Sequence, residues 1–239
     1  MSTNTPGTLF LIPANLSEPF SPGAILPREV IAIALHLDFY IAENAKTARA
    51  FLKSLGIERP LRDVSIRELN EHTGKDELAD MLRPLLAGSD VGLVSEAGAP
   101  GVADPGAAAV ALAHKHHVNV MPLVGPSSIL LGLMASGLNG QKFAFHGYLP
   151  QEKTARIEAI RELERESRQR NMTQMFIETP YRNRALLADL IATLSPATRL
   201  CVACDLTGST QTIIQQPVAA WRKAPIEARK APALFLLLA

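Results

Sequence analysis

Cysteine is scarce in this chain, with two in 239 residues. That is too few for a disulfide framework in a chain of this length, so the expected setting is a reducing one, the cytoplasm. Long apolar runs are missing as well. None approaches the roughly 18 residues of a membrane helix, so no membrane partner is expected. The first seven residues, Met-Ser-Thr-Asn-Thr-Pro-Gly, put no basic segment ahead of an apolar one, and no secretory signal is expected. Net charge is almost absent, +1 from 24 Lys and Arg against 23 Asp and Glu. No field of one sign draws the protein to nucleic acid, so contact with RNA requires a local patch. Neither G-x-G-x-x-G nor a P-loop occurs, which argues against a dinucleotide or triphosphate site. Low-complexity segments and internal repeats are also lacking.

What is present is a globular composition, 47% hydrophobic and 20% charged, in a length that suits one large domain or two small ones. Strand and helix patterns alternate. Strands are expected at Thr8–Ile12, Asp38–Ala42, Leu61–Ile66, Val91–Val94 and Val118–Leu123. Helices are expected at Arg28–Leu37, Ala45–Leu55, Lys75–Leu86 and Gly106–Lys115. This rhythm predicts a mostly parallel sheet covered on both faces. It then restarts, with helices at Ser128–Ser136, Gln151–Arg170, Asn183–Leu194 and Val218–Arg222. Strands interleave at Lys142–His146, Thr173–Glu178, Leu200–Cys204, Thr212–Gln216 and Pro232–Leu238. The expected organisation is two α/β domains, residues 1–123 and 124–239, with a mixed sheet in the second.

The most informative segment is Ser95–Gly106, a loop with three glycines and two prolines between an apolar strand and an Ala-rich helix. Strand, Gly-rich loop and helix N-terminus together form the place where open α/β sheets bind ligands. With little charge to offer, this loop would bind through its main chain. Asp104 suits an N-cap of the following helix. Leu123-Val-Gly-Pro-Ser-Ser128 is a turn into a second helix N-terminus. Phe176-Ile-Glu-Thr-Pro-Tyr-Arg182 ends a strand in a carboxylate, and Glu178 suits either a ligand or an ion pair with Arg182 or Arg184. Cys201 and Cys204 have redox or zinc spacing, but on a strand they face opposite sides. His114, His116 and His117 sit where a helix C-terminus favours partial positive charge, and no metal site is expected there. The 151–170 helix balances six basic against five acidic residues, which predicts an ion-paired, solvated face with pairs such as Glu152–Arg156 and Glu164–Arg168.

In order along the chain, Ser95-Glu-Ala-Gly-Ala-Pro, Asp104-Pro-Gly, Pro122-Leu-Val-Gly-Pro-Ser-Ser, Ser136-Gly-Leu, Gly147-Tyr-Leu-Pro150 and Phe176-Ile-Glu-Thr-Pro-Tyr-Arg resemble the tetrapyrrole methylase superfamily. Within it they are similar to the branch of the 16S ribosomal RNA 2′-O-cytidine methyltransferases. The resemblance spans roughly residues 8–239. It implies a homodimer and S-adenosylmethionine held in a cleft between two α/β domains. Carried over by position, the cofactor contacts are Pro13, Ala97, Gly98, Ala99, Val102, Ala103, Ser127, Ser128, Ile177, Glu178, Leu206, Pro232, Ala233 and Leu234. The implied activity is methyl transfer to ribosomal RNA. A tetrapyrrole or another small molecule as acceptor, and a cofactor-binding protein without turnover, are the alternatives. Glu96, Asp104 and Glu178 are the candidate carboxylates for a general base. The chain departs from the branch after its first strand, where Pro13-Ala-Asn-Leu-Ser-Glu18 stands for Pro-Thr-Pro-Ile-Gly-Asn.

Overall fold

The computed structural model describes residues 5–18, 21–224 and 230–239. The chain divides into two compact units, residues 1–127 and 128–239, where the sequence reading places its boundary at 123/124.

The first unit holds β1 (Thr8–Ile12), α1 (Pro22–Ile25), α2 (Arg28–His36), β2 (Phe39–Ala42), α3 (Ala45–Ser54), β3 (Ser65–Glu68), α4 (Lys75–Met81), α5 (Arg83–Leu86), β4 (Val91–Val94), α6 (Gly106–Lys115) and β5 (Asn119–Pro122). Its five strands are all parallel, in the order β3-β2-β4-β1-β5. All four residues of β4 are buried, as a strand covered on both faces requires. One face packs Ile12 and Tyr40 on Ala34 of α2 and Phe51 and Leu52 of α3. The other packs Leu9, Ile41 and Leu93 on Leu85 of α5 and Ala109 and Ala113 of α6.

Three expectations change here. The helix expected over 75–86 is two helices meeting at Leu82, with Pro84 near the first turn of the second. Proline lacks the N–H that would continue the ladder. The strand expected over Leu61–Ile66 begins as a 3-10 turn at Leu61–Asp63 after Pro60, and pairing runs over Ser65–Glu68 instead. Helix α1 was not anticipated, because four residues carry no periodicity to read.

The second unit holds α7 (Ser128–Ser136), β6 (Phe143–Tyr148), α8 (Lys153–Arg170), β7 (Thr173–Glu178), α9 (Asn183–Thr193), β8 (Arg199–Cys204), β9 (Thr212–Pro217), α10 (Val218–Lys223) and β10 (Ala233–Leu238). Its sheet is mixed, in the order β6-β7-β10-β8-β9, with only β6 and β7 parallel. Phe176 and Phe235 stack across the β7–β10 pair with centroids 5.9 Å apart. Ile160, Leu163, Leu187, Leu190 and Trp221 cover that face. The Trp221 indole N–H donates to the Leu200 carbonyl at 3.1 Å, so the largest core side chain leaves no donor unmet.

Helix α8 keeps one of the two expected pairs and corrects the other, Glu152–Arg156. Glu152 accepts from the Thr154 and Ala155 N–H groups and caps the helix. Arg156 turns inward, and its Nε and Nη2 donate to Asp189 Oδ2 of α9 at 2.9 and 2.6 Å. Glu164 accepts from the Ser195 N–H at 2.7 Å and from the Thr198 hydroxyl, and still pairs with Arg168 at 3.9 Å. Tertiary partners thus replace the Glu152–Arg156 pair, while Glu164–Arg168 and Glu166–Arg170, at 3.3 Å, keep the expected i,i+4 pairing. No helix among the described residues is long and apolar enough to cross a membrane.

Candidate functional site

In the first unit the chain leaves β1 toward one edge of the sheet and leaves β4 toward the other, over opposite faces. Neighbouring strands whose connections diverge leave a crevice beyond their carboxyl ends, the place where open α/β sheets bind ligands. The loops after β1 and β4 meet there. Ala14 and Gly98 form an antiparallel bridge, with Ala14 N–H donating to the Gly98 carbonyl at 2.9 Å and Gly98 N–H to the Ala14 carbonyl at 3.2 Å. Ser95 Oγ donates to the same Gly98 carbonyl at 3.0 Å. Gly98 sits at φ 71° and Gly101 at φ 79°, where a side chain is strained, and Ala103 tolerates φ 57°.

Asp104 closes the loop. Its Oδ1 accepts from Gly101 N–H at 2.7 Å and Gly106 N–H at 2.8 Å. It therefore holds the first residue of α6 as expected, but from one residue ahead of the N-cap, which is Pro105. Burial pushes the Asp104 carboxyl up, against the lowering effect of those two N–H bonds. Glu43, just past β2, is also raised, by burial first and then by the charges of Glu96 and Asp104. The edge is thus acidic and partly desolvated. Of the three candidate carboxylates, Asp104 is engaged by main-chain donors and Glu178 is buried. Glu96 is exposed and accepts from the Thr47 hydroxyl at 3.3 Å.

The loop surface is small and apolar. Ala97, Val102 and Ala103 are exposed, while Gly98 is buried against Leu16 and Pro126. Pro13 packs beside Gly125, which brings the segment ahead of Ser127 to this same loop cluster. The structure therefore gathers Pro13, Ala97, Gly98, Ala99, Val102, Ala103 and Ser127 within the first unit.

The remaining candidates lie in the second unit, at one end of its sheet. Leu234 pairs with Ile177, and Ala233 pairs with both Glu178 and Cys204. Asp205 N–H donates to the Pro232 carbonyl at 3.0 Å, which sets Leu206 beside them. Ser128 opens α7, whose Gly132 lies against Leu234; a Cβ there would come 2.3 Å from Leu234 Cδ2. A lone glycine inside a helix pattern is the signal that could have found this contact. Ala14 and Ser95 carried no such signal, because their roles come from long-range main-chain bonds.

Glu178 resolves into the ion pair. Its Oε1 accepts from Arg182 Nε at 2.8 Å and from Thr179 N–H at 2.7 Å, with Arg182 Nη2 at 2.7 Å. Arg182 Nη1 is buried and has no hydrogen-bond partner among the described residues. Cys201 and Cys204 are both buried, and only Cys204 faces the core packed by α8 and α9. Burial pushes the Cys201 thiol up to about 12, which leaves it a poor nucleophile.

No family model matches the chain. A ribosomal RNA small subunit methyltransferase I of Xylella fastidiosa is 33% identical over 90% of this chain and 74% of its own length. Its counterpart in Pseudomonas aeruginosa is 31% identical over 89% and 71%. That of Escherichia coli O157:H7 is 27% identical over 98% and 78%. In fold, the chain is similar to a uroporphyrin III C-methyl transferase from Thermus thermophilus, with a TM-score of 0.57, 17% identity and 97% of both chains covered. Relatedness at this level over most of both lengths, with two α/β units of the same architecture, decides membership: the chain belongs to the ribosomal RNA small subunit methyltransferase I family, a family of methyltransferases.

Proposed function

We propose that the chain transfers a methyl group from S-adenosylmethionine to RNA of the small ribosomal subunit. The observation that carries this is the Ala14–Gly98 bridge at the diverging strands, which presents a neutral main-chain loop at a ligand-binding edge. The residues fit the cofactor. The exposed part of the loop is Ala97, Val102 and Ala103, small and apolar side chains that suit close approach of an adenosyl group. The orphaned Arg182 Nη1, at the strand end that holds Ile177 and Glu178, offers a donor to a carboxylate such as that of a methionyl group. The proposed holders are Pro13, Ala97, Gly98, Ala99, Val102, Ala103, Ser127, Ser128, Ile177, Glu178, Leu206, Pro232, Ala233 and Leu234.

The cofactor supplies an already activated methyl group. What the chain would add is position, holding the acceptor hydroxyl in line for the transfer. Main-chain carbonyls around Ala97–Ala103 would hold the bound cofactor through weak C–H···O contacts. A ribose hydroxyl gains from a general base. Glu96 is the candidate carboxylate facing solvent, so we assign it the proton.

We further propose a cytoplasmic homodimer. Leu130 and Met134, one turn apart on α7, are exposed, as is Phe143 on edge strand β6, and they supply apolar surface for a second copy. The activity test is incubation with tritiated S-adenosylmethionine and unmodified small ribosomal subunits, followed by extraction of the RNA. Label in the ribosomal RNA supports the proposal. Label in an added tetrapyrrole alone, or in neither, overturns the RNA assignment.

A further inference from the structure

The chain has three tyrosines. Tyr40 is buried, while Tyr148 and Tyr181 are 55% and 87% exposed. Those two lie at the same end of the second sheet. Tyr148 ends β6 and is registered beside Ile177 of β7, one residue before that strand's end. Neighbouring strands run about 4.8 Å apart. Tyr181 comes three residues after Glu178, where β7 ends, on a turn pinned by the Arg182 N–H to Thr179 carbonyl bond at 3.0 Å and by the Glu178–Arg182 pair.

Both rings are presented by deliberate local geometry. The β6–β7 register is interrupted between Phe145 and Tyr148, and Gly147 takes φ 64° there. A bulge of this kind re-aims the next side chain. Pro180 stops β7 and sends Tyr181 out of the sheet.

Two exposed cations stand on the segments next to Tyr181. Arg184 and Lys230 are exposed, and the Asn183 side-chain N–H donates to the Ala231 carbonyl at 2.7 Å, which ties the Lys230 segment to the start of α9. Three carboxylates at this end are engaged by the chain itself, and Glu152, just after β6, caps α8. Glu178 holds Arg182, and Asp205 Oδ2 accepts from the Thr210 N–H and hydroxyl.

Exposed aromatic rings with cations beside them are how proteins stack unpaired bases, and sequence-selective RNA recognition works largely on such bases. We infer that Tyr148 and Tyr181 form a stacking platform for an unpaired nucleobase of the substrate RNA. This rests on the RNA reading proposed above. It gives the local patch that a net charge of +1 demands.

The other source of a nucleobase is the adenine of the cofactor, and the test separates the two. The full chain and its Tyr148→Ala, Tyr181→Ala and Tyr181→Phe variants are titrated into a fluorescein-labelled, mixed-sequence single-stranded RNA, read by anisotropy. S-adenosylmethionine is titrated in parallel by calorimetry. Each alanine variant weakens RNA binding by about tenfold, Tyr181→Phe stays within about twofold, and the cofactor affinity does not change. Thermal melts match the parent, since both rings are exposed. Alanine variants that bind RNA like the parent overturn the platform while leaving the methyltransferase reading intact. A loss confined to the cofactor titration overturns it in favour of adenine. A parent chain that binds the cofactor but no RNA overturns the platform and the RNA reading together.

Discussion

Gly125 lies so close to Pro13 that a Cβ at position 125 would fall 2.4 Å from the proline Cβ and 2.6 Å from its Cγ. The segment after β5 therefore passes the loop after β1 with no room for a side chain, and a proline ring cannot swing away. Pro126, the next residue, has its carbonyl 3.6 Å from where a Gly98 Cβ would stand. Three loops thus interlock around one bare stretch of main chain. Gly125→Ala is expected to cost about 1–3 kcal/mol by overpacking. Urea denaturation measures it, and a midpoint equal to the parent's contradicts the interlock.

Asp104 makes a prediction about pH. Its carboxyl is raised by burial, so the native state holds its proton to a higher pH than the unfolded chain does. Between the ordinary carboxylate range and the raised value the native state binds more protons, and this group's contribution to stability falls as pH rises through that window. Asp104→Asn keeps the Oδ1 acceptor for Gly101 and Gly106 but carries no charge. It also relieves Glu43, which feels Asp104 directly. The variant should be at least as stable as the parent near neutrality, with its advantage shrinking as pH falls through the raised value toward the ordinary carboxylate range. Asp104→Ala, which leaves both N–H groups without an acceptor, should cost about 1–3 kcal/mol. Denaturation across a pH series checks the pattern, and an advantage that grows toward acid contradicts it.

Arg156 and Asp189 join α8 to α9 with side chains 10% and 12% exposed. Removing one partner strands the other in a desolvated place. Asp189→Ala is expected to lose about 3–5 kcal/mol, and a double replacement of both by leucine to recover most of it. Chemical denaturation of the single and double variants decides this. A single variant within about 0.5 kcal/mol of the parent, as for ordinary surface positions, would contradict the assignment.

How far the sequence was legible follows the range of the interactions. Strands such as Val91–Val94, buried on both faces, announce themselves as apolar runs, and α3 is bounded by the Asn44 cap, whose Oδ1 accepts from the Lys46 and Thr47 N–H groups. Local signals of this kind located nearly every element and the parallel first sheet. The break at Leu82 was visible as Pro84 but was outweighed by the surrounding periodicity. The pairing of Arg156 with Asp189, 33 residues away, and the Ala14–Gly98 bridge depend on where distant segments land, so no spacing rule reaches them. Among the site candidates, Gly-rich loops and strand ends were readable as types of position. The main-chain role of Asp104 was readable from its place ahead of α6, whereas the choice for Glu178 between a ligand and Arg182 was decided only once the turn after β7 closed.

The most direct test of the central claim is a calorimetric titration of S-adenosylmethionine into the parent chain and a Gly98→Val variant. The account predicts micromolar binding to the parent. It also predicts at least about a tenfold loss in the variant, equal to about 1.4 kcal/mol, because valine cannot hold the left-handed turn that bares the loop. No heat up to millimolar cofactor, or equal affinity in a folded variant, contradicts it.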